Sequence, residues 1–310
     1  MGVQCRIVIY STNIAKAEES AKAAFSRIGE IDAAVSDYRV DSDVAHLTEA
    51  AGNGVYLPIS VDTHVLLERS IEVAHASDGA FDPTVGPVTK LWRIARRERE
   101  LPETELRASA AQLVGFQDID LSAAPGPTAR LKRTGMSLDF GAIAKGYAAE
   151  EAVKVIKARG LPSCMVALSG DIFVGNRPPG SKGWRVAIVS GQHGPESPDA
   201  FIELENQGLS TSGDTEQFVE IGGDRFSHII DPRKGWAISE QRSVTVIGPL
   251  GWMHDGLATA LCVLDEPDGQ RLMKNYSQCA AVVFERTGDQ VSRRSLGNVE
   301  LLREIEFNSK

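Results

Sequence analysis

LDFGAIAKGYAAE, residues 138–150, decides how this chain is read. Leu138 begins a short strand that ends at Asp139. Gly141 turns the chain, and a helix opens near Ala142 and runs through Arg159. A helix start exposes unpaired N–H groups and a partial positive charge, which suits phosphate. Lys145 lies in that first turn and is placed to neutralise an oxyanion. The GxxxxGK[ST] pattern of a Walker A loop is absent. Taken alone, the segment also reads as an ordinary strand-to-helix turn with a surface lysine.

Working outward, residues 3–10 (VQCRIVIY) alternate as a strand, and residues 14–35 carry apolar side chains at helical spacing. Ser42 and Asp43 cap a short helix that Gly52 stops. Residues 61–77 form a second amphipathic helix, ended by Asp78-Gly79, and Pro83 keeps the next segment extended or turned. Downstream, residues 164–168, 172–175, 184–189, 200–204, 216–221, 225–230, 243–247 and 280–285 read as strands, and residues 255–264 as a helix. Strands and helices mix without regular βαβ alternation. The fold class is therefore α+β, with one integrated unit over residues 1–310 and a charged tail at about 290–310.

Composition narrows the function. The chain has 310 residues, 42% of them hydrophobic, enough for a core without disulfides. Cys5, Cys164, Cys262 and Cys279 are scattered with no CxxC pair, so no zinc site is suggested. A net charge of -9 argues against non-specific nucleic-acid binding, which needs a basic face. The one basic cluster, residues 93–99 (RIARRER), reads as a solvated helix face. No run of about 18 apolar residues is long enough to span a membrane. Residues 1–12 lack the basic start and long apolar segment of a signal peptide, so the protein is either cytoplasmic or a trimmed mature form.

Three further islands crowd glycine, aspartate and hydroxyl residues between apolar flanks. In HDGLATAL, residues 254–261, Asp255 and Thr259 stand at i and i+4, so both oxygens face one side of a helix. A carboxylate with a hydroxyl suits magnesium, which completes its shell with water or phosphate. The same residues also read as a helix cap and a core threonine. In SHIIDPRKG, residues 227–235, His228 can accept a hydroxyl proton near neutral pH, or be a strand-edge histidine. Just upstream, Ser212-Gly213-Asp214 reads as a tight polar turn able to order a ligand or the histidine. In GAFDPTVGP, residues 79–87, Asp82 is held before Pro83, able to accept from an amino group or to close an Asx turn.

Together and in this order the islands resemble the ApbE family, the FAD:protein FMN transferases. The resemblance runs from the first strand to about residue 264. It takes in SDYRVDSDVAHL, FDPTVGP with Trp92 after it, LDFGAIAKGYA, SGD at 169–171, and Trp184 before its strand. TSGD, HIIDP, SVTVIGP and DGLATAL complete it. The resemblance implies an α+β fold with mixed sheets flanked by helices and FAD bound between two halves of one domain. It implies magnesium held by the Ala142 carbonyl, the Asp255 carboxylate and the Thr259 hydroxyl, with FAD phosphates completing the shell. Asp139 and Lys145 would line the FAD site, Asp82 would meet the adenine end, and Met1 and the backbone near Ile229 would touch the nucleotide. His228 is the candidate base, oriented by Asp231 or Asp214. The implied reaction moves the FMN half of FAD onto a threonine or serine hydroxyl of an acceptor flavoprotein and releases AMP. The family also suggests a periplasmic or lipoprotein-anchored setting where an upstream signal has been trimmed.

The chain departs from the family pattern in places. Ser169 stands where GGD has its first glycine, Lys234 replaces the threonine of DPxTG, and Thr48 lies where asparagine is common. Ser169 is a mild change, whereas Lys234 bears on acceptor geometry. Two other functions fit the same residues: a magnesium-dependent FAD pyrophosphatase, in which water replaces the protein hydroxyl, and a module that stores FAD without turnover.

Overall fold

The computed structural model describes residues 2–123, 125–190, 198–213, 218–288 and 290–307. Its centre is a seven-stranded sheet in which every neighbour is antiparallel. The strands Cys5–Ile9, Cys164–Leu168, Asp171–Val174, Gly208–Gly213, Gln241–Gly248, Ala280–Thr287 and Gln290–Gly297 lie side by side in the order they occur along the chain. Long excursions leave the sheet between strands, and these carry the helices.

Both faces of the sheet are covered, and the sequence shows it as unbroken apolar runs rather than alternation with polar residues. In AAVVF, residues 280–284, Ala281 and Val283 point into the helical core. Val282 and Phe284 point into a second core on the other face. Such two-fold alternation is the geometry of a strand. The helical layer contains Ile14–Val35, Val61–Ala76, Ala144–Ala158 and Gly251–Val263. A three-stranded sheet of Trp184–Ile188, Ala200–Leu204 and Ile305–Phe307 covers the other side. A third cluster gathers Val88, Trp92, Phe226 and Ile230, with the Trp92 ring 5.3 Å from Phe226 and 5.1 Å from Trp236.

Local signals place the outer helices. Asn13 caps Ile14–Val35 by accepting from Lys16 N–H at 3.0 Å, and Ser42 and Ser60 cap the next two helices in the same way. Asp78 and Gly79, at φ of 50° and 75°, form the left-handed stop after Val61–Ala76.

Several expectations are corrected. Leu138 and Asp139 form no strand: Ser137 makes a single bridge to Val85, and Asp139 N–H donates to Pro83 C=O at 2.8 Å. The Asp255 helix starts at Gly251, one turn early, so Asp255 is not its cap. Ser212 and Gly213 belong to a central strand rather than a turn, because they pair with Val244 and Ser243. The charged tail is folded: Gln290–Gly297 is the last strand of the main sheet, and Ile305–Phe307 pairs with Ala200–Leu204. The sheets are antiparallel throughout rather than mixed.

Candidate active site

Two helix starts meet at the centre of the site. A Cβ added to Gly146 would overlap the Gly251 carbonyl, and one added to Gly251 would overlap the Gly146 carbonyl. The two backbones are therefore in direct contact, as only glycine permits. That contact lets each helix supply an acid to the other. Gly146 N–H, unpaired within its own first turn, donates to Asp255 Oδ2 at 2.9 Å. Gly251 N–H donates to Glu150 Oε2 at 2.7 Å. Leu250, at the N-cap of Gly251–Val263, supplies no side-chain cap, so buried Glu150 takes that role.

Lys145 completes the cluster. Its ammonium lies 2.9 Å from Asp171 Oδ2 and 3.5 Å from Asp255 Oδ1, and donates to Gly141 C=O at 3.2 Å. Asp171 is 3% and Asp255 1% exposed, so two carboxylates share one cation away from water. Burial, then the Asp171 charge, push the Asp255 carboxyl well above the ordinary carboxylate range, against the pull of Lys145. Burial works against the Lys145 charge, yet Asp171 and Asp255 outweigh it and hold its pKa above the ordinary lysine value.

The donors around Asp255 suit a hard cation. Thr259 follows one turn later on the same helix, and its hydroxyl lies 3.2 Å from that of Ser212 on the adjacent strand. Ala142 precedes the Lys145 helix and is half-buried. A carboxylate with hydroxyls on the same helix and the adjacent strand is an oxygen set of a kind magnesium takes when phosphate completes the shell. An excess of buried negative charge is what a divalent cation would relieve. Among the described residues, no group of three or more His, Cys, Asp or Glu side chains is placed to hold a metal by itself.

The remaining predicted residues fall around this centre. Asp139 Oδ1 accepts from Gly141 N–H at 2.8 Å and Oδ2 pairs with Arg93 at 3.0 Å. Asp82 is buried and accepts from Thr84 N–H, Thr84 Oγ1 and Phe116 N–H, which ties residues 82–84 to Phe116. The Asp139 bond to Pro83 brings the Asp82 loop against the Lys145 segment. His228 is half-buried and follows the strand Asp224–Ser227. Ile229 is buried; its N–H donates to Ser227 Oγ at 3.0 Å and its C=O accepts from Ile238 N–H at 3.0 Å. The carboxylate of Asp231 accepts from Arg233 at 2.9 and 3.0 Å and pairs with exposed Lys234 at 3.3 Å. Burial would raise its pKa, but Arg233 and Lys234 hold it below the usual range. Met1 and Asp214 lie outside the described residues.

Sequence reasoning misses several side chains. Asp171 shows there only as the end of a turn motif, far along the chain from its partner Lys145. Arg93 is not on a solvated face: it pairs with Asp37 and Asp139, and its guanidinium lies 4.6 Å from the Tyr38 ring. Tyr38 itself is 76% exposed. Ser169 sits at φ 57°, so the change from glycine there costs about 1 kcal/mol.

His254 is fully buried beneath the cluster. Its Nδ1 lies 2.7 Å from Ser210 Oγ, and its Nε2 has no hydrogen-bond partner among the described residues. Burial depresses its pKa to about 4, with Asp171 opposing and Lys145 assisting. A lowered folded value means stability that is present above the ordinary pKa and lost as pH falls through the folded one. Wild type is expected to lose roughly 3 kcal/mol more than His254→Asn between pH 7 and pH 4. Urea midpoints of both proteins across that range check this, and parallel curves would contradict it.

An α+β chain with an acid-and-lysine cluster at paired helix starts is a candidate for phosphate chemistry. Comparison with known proteins is more specific: this chain belongs to the ApbE family, whose model matches residues 1–284. It is 31% identical to the FAD:protein FMN transferase of Treponema pallidum over 99% of this chain and 88% of that protein. Its structure resembles the flavin transferase ApbE from Vibrio cholerae, with TM-score 0.85 and 25% identity, covering 97% of this chain and 96% of that one. The apo flavinyl transferase ApbE of Pseudomonas stutzeri matches with TM-score 0.80 and 29% identity, covering 95% and 94%.

Proposed function

We propose that this enzyme transfers the FMN half of FAD, with magnesium, onto a threonine or serine hydroxyl of an acceptor flavoprotein and releases AMP. The observation that carries the reading is Asp255, a buried carboxylate under-neutralised at the start of two helices, in a chain of this family. Asp255, Thr259 and the Ala142 carbonyl would hold the cation. When bound it supplies charge neutralisation at the diphosphate and at the departing AMP. Lys145 and Asp139 would line the FAD site, Asp82 would meet its adenine end, and the backbone near Ile229 would border the nucleotide. His228 accepts the proton of the acceptor hydroxyl as its oxygen bonds to the FMN phosphorus and the bond to the AMP oxygen breaks. Asp231, whose carboxylate also pairs with Arg233 and Lys234, or Asp214 would orient His228.

Mass spectrometry of a co-expressed acceptor tests the reaction: an FMN-sized adduct on threonine or serine is expected. FMN and AMP without an adduct would point to a pyrophosphatase, and a stable FAD complex that releases no AMP would point to storage. His228→Ala is expected to keep FAD affinity within about threefold and lower transfer by roughly 10²-fold or more. Normal transfer by that variant would remove His228 from the mechanism.

A further inference from the structure

The Lys145 ammonium has three protons to donate and three oxygens to receive them: Asp171 Oδ2 at 2.9 Å, Gly141 O at 3.2 Å and Asp255 Oδ1 at 3.5 Å. It is a saturated cation in an oxygen nest, and one wall of that nest is the carboxylate assigned above to magnesium. The contacts are unequal. Asp171 holds the ammonium closely, whereas Asp255 holds it at long range and gives its second oxygen to Gly146 N–H at 2.9 Å. The Asp255 contact is therefore the one that yields.

We propose that Lys145 is the resident counter-ion of the cation site, anchored by Asp171, and that the FAD diphosphate draws it off Asp255 before a divalent cation takes its place. The inference rests on the reading of Asp255 as a cation ligand and adds a role for Asp171. An ammonium and a divalent cation repel each other at one carboxylate oxygen, and the low local dielectric strengthens the repulsion. A diphosphate offers the ammonium a stronger acceptor and brings oxygens of its own for the metal. Lys145 then passes from internal partner to ligand contact, and Asp255 Oδ1 is freed. The dinucleotide therefore binds before the cation, or together with it. Asp171 is a positioning residue: it keeps the ammonium within reach of both states.

Calorimetric titration with Mn²⁺ tests this on FAD-free protein, on protein with FAD, and on two variants. FAD-free wild type is expected to bind Mn²⁺ weakly, and FAD to tighten it. Lys145→Gln removes the counter-ion and keeps the stem, so FAD-free affinity is expected to rise about tenfold or more. Asp171→Asn leaves the ammonium with Asp255 as its remaining carboxylate, so FAD-free affinity is expected to stay at or below the wild-type level. If Lys145→Gln unfolds for want of a counter-ion, Mn²⁺ is expected to restore its fold by circular dichroism. A Lys145→Gln protein that Mn²⁺ neither binds more tightly nor refolds overturns the proposal, as does tighter binding by Asp171→Asn. Wild type that takes up no Mn²⁺ even with FAD would instead sink the assignment of Asp255 itself.

Discussion

Asp255→Asn is expected to lower magnesium-dependent FMN transfer by roughly 10³-fold while the protein stays folded. The asparagine carbonyl can still accept from Gly146 N–H, so the contact between the two helix starts survives. What is lost is the charge. The sign of the stability change comes from the raised folded pKa of Asp255. Such a group adds stability at low pH that is lost as pH rises through the folded value. At pH 8, without a divalent cation, the ionised side chain beside Asp171 is therefore a cost. The variant should show a urea midpoint no lower than wild type there. A large loss of midpoint would mean that Asp255 is a structural strut, and wild-type-like acceptor labelling would mean that it is not a cation ligand.

Gly251→Ala is expected to destabilise the protein by about 3 kcal/mol or more and to abolish transfer. The added methyl would enter the Gly146 carbonyl, which is backbone and cannot swing aside as a side-chain tip would. The helices must separate, and with them the Glu150 bond to Gly251 and the Asp255 bond to Gly146. The two losses should occur together in one substitution that removes no proposed ligand side chain. Gly54→Ala serves as a control for unfolded-chain effects, since a Cβ there meets nothing within 4 Å. It has its own strain at φ 79°, so only the difference between the variants counts. A Gly251→Ala midpoint equal to that of the control would refute the close-contact account.

Elements are legible in the sequence where local chemistry decides them. Ser42 and the apolar spacing mark the outer helices almost to the residue. The pairing of Asp255 with Thr259 is legible because both lie on one helix, a turn apart. Contacts between distant segments are not. Asp171 meets Lys145 only because strand and helix pack, and Glu150 caps a helix that begins 101 residues later. Arg93 reads as solvated because its neighbours Arg96 and Arg97 are charged too, but its place on the helix turns it toward Asp37 and Asp139. The edge strand Gln290–Gly297 is hidden by its charge, because most of its residues are exposed and the backbone ladder to Ala280–Thr287 leaves no mark in the sequence. A polar sequence at a sheet edge carries little hydrophobic pattern to read.

Diffraction from crystals grown with FAD and Mn²⁺, with anomalous scattering to locate the metal, tests the central claim most directly. One peak is expected about 2.1 Å from an Asp255 carboxylate oxygen, the Thr259 hydroxyl and a diphosphate oxygen of FAD. FAD seated with its diphosphate away from the Lys145 helix start, or a metal peak that shares no oxygen with Asp255, would contradict it.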